Sequence, residues 1–322
     1  MKPVRLLSVS LALTFSCLAA TAQSAYSCSV VKLISPYPPG GTTDILARLI
    51  QPGLSRELGT NVIVENKAGA SSNIGTEFVS QSAPDGCTLL LGNNTGVAIN
   101  RNLYKLRIDP VQGLVPVGAV ASVPLVLYVN SAVPADSLKQ LIDLVRANPG
   151  KYSYASGGSG SPQHLMGELL KLEKGLDIVH VPYKGQGPAM QDVVSGQVQM
   201  AFETTTVIAP QLTSGRIRAL ATTGATRSKI MPEVPTMKEL GLPDFVTENW
   251  YGLFAQAKTP PALVQRLSIA LNKTLDDKEV QATLDKMGSS DVKGTSEAFS
   301  KFITHELPLW ENVVKRSGAK VD

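Results

Sequence analysis

The chain is poor in charge. Of 322 residues only 17% are Asp, Glu, Lys or Arg, against about 25% in an average soluble domain. With 43% hydrophobic residues, this excludes the highly charged, weakly hydrophobic class of disordered chains. No five like charges follow one another, so no nucleic-acid footprint is present. Aromatics are scarce, at 5%. Only three histidines occur, His164, His180 and His305, without metal-ligand spacing. Beyond the N-terminus no apolar run approaches the roughly 18 residues of a spanning helix, which argues against stable membrane insertion. The P-loop, GxGxxG, GxSxG and HExxH patterns are all missing. Asp44 and Glu203 could pair as carboxylates, but nothing in the sequence fixes their separation. The residues call for no metal, cofactor or catalytic set.

What is present begins with an export signal. Lys2 and Arg5 precede an almost wholly apolar stretch from Leu6 to Leu18, and Ala20-Thr21-Ala22 offers a cleavage site. Residues 1–22 are expected to be a signal peptide, cleaved near Ala22, and the protein is expected to be periplasmic. Losing Lys2 and Arg5 lowers the net charge from +4 to +2. Lipidation at Cys17 would place the bulky Phe15 close ahead of it, a poor fit. The mature chain then holds Cys28 and Cys87. Each directly precedes a strand-like run, so parallel strands would bring both to one sheet edge. A Cys28–Cys87 disulfide is expected.

Apolar runs alternate with helical patterns. Strands are expected at 30–35, 61–65 and 88–91, separated by helices at 43–58 and 75–82. This is the βαβαβ order of a parallel sheet. Two further strands, 115–120 and 125–129, follow without a helix between them. A second series contains strands at 151–155, 178–181, 198–202 and 218–222, with helices at 138–148, 163–172, 189–195 and 207–213. A last apolar run, 250–255, precedes three helices. Two α/β lobes are expected: residues 23–122 with 223–322, and residues 123–222. Ligands of such sheets lie beyond the carboxyl ends of the strands, here in the cleft between lobes.

Several strand-to-helix segments could line that cleft. In Ser35-Pro36-Tyr37-Pro38-Pro39-Gly40-Gly41-Thr42-Thr43-Asp44, the glycines admit a close approach of backbone. Thr42 or Thr43 can cap a helix whose amides favour an anion. The segment from Ser153 through Ser156, Gly157, Gly160 and Ser161 to His164 offers small donors without bulk; His164 suits loop bracing better than base catalysis. Tyr183 can wall the cleft, and Lys184 can pair with an anion or stay solvated. Glu203 can accept from a ligand or serve a helix start. Asn93-Asn94-Thr95-Gly96, after the third strand, completes the ring, with Asn94 and Thr95 as its ligand candidates.

These pieces, in order, resemble the Bug family, the extracytoplasmic solute receptors of tripartite tricarboxylate transporters. The matches are PYPPGGTTDILAR from Pro36, NVIVENKAGA from Asn61, APDGCTLLLG from Ala83, PGKYSYASGGSGSPQHL from Pro149, HVPYKGQGPAMQDVVSGQV from His180, MPEVPTMKELGLP from Met231 and WYGLFA from Trp250. The resemblance implies a type II periplasmic-binding-protein fold. It implies that a small organic carboxylate (a di- or tricarboxylate, an acidic amino acid or an aromatic acid) is held by amides, hydroxyls and waters. Carried over, one side comprises Tyr37, Gly40, Gly41 and Thr42. The other comprises Ser156, Gly157, Gly160, Ser161 and His164, and Tyr183 and Lys184 match the YKG motif. A monomer and membrane transporter subunits as partners are also implied. Cys87 replaces a usual Tyr, Cys28 lies where cysteine is unusual, and Glu203 stands where Asp is frequent. A ligand-binding sensor and an exported hydrolase are the alternative functions.

Overall fold

The computed structural model describes residues 28–290 and 292–321; the expected signal peptide and Cys17 lie outside them. Strand β1 (Val30–Ser35) leads into α1 (Thr42–Leu58), β2 (Asn61–Asn66), α2 (Asn73–Ser80) and β3 (Thr88–Asn93). Both β2 and β3 pair with β1 in parallel. Burial follows the two-residue period of a strand. Val31 and Leu33 join the core beneath Leu46, Ile50 and Leu54 of α1, while Ile34 faces the opposite core with Leu90. The first sheet is held at its start by the Cys28–Cys87 disulfide, as expected from the positions of the two cysteines.

A π-turn (Thr95–Ile99), a 3-10 turn (Asn100–Asn102) and the short α3 (Pro110–Gly113) follow. The sequence suggested two strands next; the structure has one, β4 (Leu114–Asn130). The intervening Ala121-Ser122-Val123-Pro124 carries no Gly, Asn or Asp to turn the chain. The irregularity is absorbed instead by register shifts between Pro116 and Gly118 and between Ala119 and Ala121.

The chain then builds α4 (Leu138–Arg146), β5 (Tyr152–Ser156), α5 (Pro162–Lys174), β6 (Ile178–Pro182), α6 (Gln186–Ser195), β7 (Met200–Thr204), α7 (Thr205–Leu212) and β8 (Ile217–Thr222). Strand β5 lies in parallel between β6 and β7. The last strand, β9 (Glu248–Gln256), runs antiparallel between β3 and β4. Helices α8 (Pro261–Leu275), α9 (Lys278–Lys286) and α10 (Ser296–Ser317) close the described chain.

Two sheets result, in the orders β2-β1-β3-β9-β4 and β6-β5-β7-β4-β8. They share β4: Leu114 to Pro124 pair with β9, and Leu125 to Asn130 pair with β7 and β8. Each sheet reverses its direction of winding beside its first parallel strand, β1 or β5. A crevice forms outside the carboxyl ends at such a reversal. Helix α10 ties the two halves. Its Trp310 and Val313 enter one core with Leu165 and Leu169 of α5, and Arg316 pairs with Glu173 and, at 2.9 Å, with Asp244.

Candidate functional site

A cavity of about 190 Å3 lies between the strand ends of the two sheets. It is smaller than the roughly 300–1,000 Å3 usual for drug-sized ligands, so its size suits a small solute. Residues 37–43, after β1, form one wall with Asn93, which ends β3, and Thr95 just beyond it. Gly157 and Ser161–Gln163, after β5, and residues 184–188, after β6, form the other. Asn249 and Tyr251 of β9 complete it.

Among the described residues, three helices start on this cavity: α1, α5 and α6. The caps of α1 and α6 are Gly41 and Gly185, which have no side chain to give the first-turn amides. Ser161 caps α5 through His164 N–H at 3.3 Å, and Pro162 occupies its first turn. Gly40 has φ +88°, a left-handed conformation that a side chain would strain. Its amide turns back to Asp44 at 3.1 Å. Asp44 does not line the cavity. Burial works against its charge, but hydrogen bonds from Arg48, Asn66 and Gly40 outweigh this and hold its carboxyl below the usual range.

The polar walls are built largely from neutral groups. Tyr37 is half-buried, and its hydroxyl lies 3.3 Å from Oδ1 and 3.2 Å from Nδ2 of Asn93. Burial raises the Tyr37 and Tyr251 hydroxyls above their ordinary pKa, so both stay protonated. Lys184 is the one charged side chain among the described lining residues, and it is exposed.

Of the candidates from sequence, Tyr37, Gly40, Gly41, Thr42, Thr43, Thr95, Gly157, Ser161 and Lys184 line the cavity. The other six stand behind it. Asn94 is buried and donates to the Glu248 carbonyl at 3.3 Å. Ser156 Oγ lies 2.7 Å from His180 Nε2. Gly160 (φ +81°) is packed so closely that a Cβ there would sit 2.9 Å from Leu103 Cδ1. His164 accepts the Gly160 amide on Nδ1 at 3.0 Å and stacks on His180, with ring centres 4.0 Å apart. The loop-bracing role read from the sequence thus has a geometric counterpart. Burial lowers His164, and burial followed by His164 and Lys171 pushes His180 down to about 3, so the pair is neutral. Tyr183 donates to Asp192 at 2.5 Å; burial and that carboxylate push its hydroxyl up to about 12.

Glu203 is 3% exposed. Its Oε1 accepts from Thr204 N at 2.7 Å, Thr204 Oγ1 at 3.1 Å and Gln163 Nε2 at 3.4 Å. Burial nevertheless dominates and pushes its carboxyl up to about 7. It lies one residue from Thr204, whose hydroxyl meets Thr42 of the opposite wall.

Sequence reasoning did not single out Asn93, Gln163, Gln186, Asn249 or Tyr251 as ligand residues. Asn249 and Tyr251 gave no signal of their own: β9 is buried on both faces, so alternation does not mark a ligand side there.

Two α/β lobes sharing a long strand, with helix starts converging on a cleft, define a solute-binding protein of the type II periplasmic class. The comparisons with known proteins agree. Residues 46–319 match the model of TctC, the tripartite tricarboxylate transporter family receptor. Protein BugT of Bordetella pertussis (strain Tohama I) is 38% identical over 298 residues, 92% of this chain and 91% of its own. The solved structure of the periplasmic binding protein BugD superposes with a TM-score of 0.84 at 33% identity, covering 90% of this chain and 98% of that one. R. palustris Rpa4515 with adipate gives 0.86 at 33% identity over the same shares. This chain belongs to the TctC family of tripartite tricarboxylate transporter receptors, the Bug proteins. It is a solute-binding protein and not an enzyme.

Proposed function

We propose that this protein captures a small organic carboxylate between its lobes and presents it to the membrane subunits of a tripartite tricarboxylate-type secondary transporter. One observation carries the reading: the starts of α1, α5 and α6 line a single cavity, and two of them lack a side-chain cap. Aligned peptide dipoles and uncapped amides favour an anion at such points. Neutral donors can hold a carboxylate without burying a counter-charge, and they release it when the lobes part. Lys184 adds one solvated cation at the rim. The relative solved with adipate supports a carboxylate as the solute class.

The hinge in this reading lies where β4 changes partners, between Pro124 and Leu125, and where the chain leaves β8 after Thr222. That division supports one lobe of residues 23–122 and 223–322 and another of 123–222. The ligand set is the cavity wall, with Asn94, Ser156, Gly160, His164, Tyr183 and Glu203 positioning it from behind. Export follows from residues 1–22.

The test is thermal denaturation of refolded, ligand-free protein against a broad panel of mono-, di- and tricarboxylates. At least one acid is expected to raise the midpoint in a concentration-dependent way. A panel without any shift would overturn the reading.

A further inference from the structure

Three consecutive residues between β2 and α2, none of them glycine, have left-handed backbones: Ala70 (φ +45°), Ser71 (φ +49°) and Ser72 (φ +79°). No other non-glycine residue among the described ones has a positive φ. Side chains disfavour this conformation, and it persists only where the surroundings hold it. Here Asn100 holds it. Its side chain is buried, and Nδ2 donates to the Ser71 carbonyl at 2.7 Å and to Asn73 Oδ1 at 2.6 Å. The Asn73 amide closes the turn on the Ala70 carbonyl at 3.0 Å. All these groups belong to the half of the molecule built on the first sheet.

What the turn presents meets the other half. Ser71 Oγ donates to the Ser159 carbonyl at 2.9 Å. The Tyr104 hydroxyl lies 3.2 Å from Ser71 Oγ and 3.4 Å from the same carbonyl. Ser159 lies between β5 and α5, 88 positions from Ser71. Its loop backbone rests directly on the first half: a Cβ on Gly160 would sit 3.4 Å from Val321 Cγ1 and 3.6 Å from Tyr104 Cε2, besides the contact with Leu103. Ser71, Tyr104 and Ser159 do not line the cavity. Ser159 is nevertheless tied to a group that does. The Ser161 amide closes a turn around Ser159 on the Gly158 carbonyl at 3.1 Å, and Ser161 caps α5 at the cavity wall. Fixing Ser159 therefore fixes the α5 start.

We propose that Ser71 and Tyr104 are positioning residues that latch the two lobes: by gripping the Ser159 carbonyl they hold the α5 start in place and set how long a captured solute stays. This rests on solute capture between the lobes, as proposed above. The strained turn is preset by Asn100 within its own half, so the Ser71 hydroxyl needs no reordering when the halves meet. When they part, the Ser159 carbonyl exchanges both hydroxyls for water. The latch therefore acts on release rather than on entry.

Stopped-flow binding to the refolded mature protein, followed by intrinsic fluorescence, tests it. The probe is adipate, or the panel acid with the largest midpoint shift if adipate gives none. Tyr104→Phe keeps the ring and loses one hydroxyl; Ser71→Ala loses the other. Each variant is expected to speed dissociation about three- to tenfold, with association unchanged within about twofold. Ser71→Gly relieves the backbone strain as well, and should release the acid as fast as Ser71→Ala does. Should a Ser71 variant fail to fold by circular dichroism, Tyr104→Phe carries the test. Unchanged dissociation in Tyr104→Phe and Ser71→Ala overturns the proposal, as does a loss of affinity that falls on association. Wild-type release in Ser71→Gly overturns it too, because strain and not the hydroxyl would then be the cause. Absence of binding by every acid in the wild type overturns the capture reading and the latch with it, so the two failures are distinct.

Discussion

Thr42 and Thr204 touch across the cleft: their hydroxyl oxygens lie 3.1 Å apart in a buried contact between residues 162 positions apart in the chain. Thr42 opens α1 after the first sheet, and Thr204 ends β7 of the second. Thr204 also donates to Glu203. The contact therefore links one wall of the cavity to the buried carboxyl behind the other.

Removing this link should loosen the contact between the two walls. Thr42→Val and Thr204→Val keep shape and lose the hydroxyl. A buried hydrogen bond of this kind contributes about 0.5–1.5 kcal/mol, so each variant should weaken solute binding by roughly three- to tenfold. A double-mutant cycle on the measured affinity should show a coupling of the same order. Additive losses would mean that the two hydroxyls act independently.

Glu203 gives a pH dependence with a definite sign. Its folded pKa, about 7, lies above the ordinary 4.5. The folded state therefore binds the extra proton, and the associated stability is fully present below pH 4.5 and lost as pH rises through 7. The loss relative to Glu203→Gln should reach on the order of 3 kcal/mol. The Gln variant keeps an oxygen for Thr204. Urea denaturation at pH 5, 7 and 8 should show the wild type falling behind the variant as pH rises. An anion beside Glu203 favours the protonated form, so affinity for the solute should also decline through pH 7 in the wild type and stay flatter in the variant. Parallel pH profiles would exclude Glu203 as the source.

The Cys28–Cys87 disulfide closes a loop across a sequence separation of 59 and braces β1 against β3 at their starts. Cross-links of this kind typically stabilise by about 2–4 kcal/mol, chiefly by restricting the unfolded chain. Reduction, or Cys28→Ser with Cys87→Ser, should lower the urea midpoint accordingly. Solute affinity should change little, because the cysteines precede β1 and β3 while the cavity lies beyond their ends. Unchanged stability after reduction would remove the bond from the account.

The local elements were legible because their signals are local. Alternation in Val31, Leu33 and Ile34 marks a strand on either side of which a core can form, and the apolar spacing of Leu46, Ile50 and Leu54 marks the helix packed on it. Gly40-Gly41 and the Gly/Ser segment before Pro162 announce strand-to-helix turns. What failed was the reading of β4. The two apolar runs, 115–120 and 125–129, read as separate strands, whereas β9 and β8 supply pairing on either side that carries one strand through.

The candidate site was legible only as segments. Tyr37, Gly41, Thr42, Ser161 and Lys184 could be named because they follow strand ends. Asn249 could not, because its wall depends on β9 inserting antiparallel between β3 and β4 from the far end of the chain. Conversely, Gly160 and His164 share the right segment yet face Leu103 and His180 rather than the cavity. A loop's composition says that donors are available; the direction of each side chain is set by what packs against it.

By itself, the sequence determined the alternation of strands and helices, the cysteine pair and the low charge that leaves neutral groups to hold an anion. All of these depend on residue type and short-range order. Only the tertiary structure decided that three helix starts open on one cavity, that Thr42 reaches Thr204 and that Ser71 reaches Ser159. Those relationships join residues separated by up to 162 positions, and they exist only once two sheets share β4 and bring their strand ends face to face.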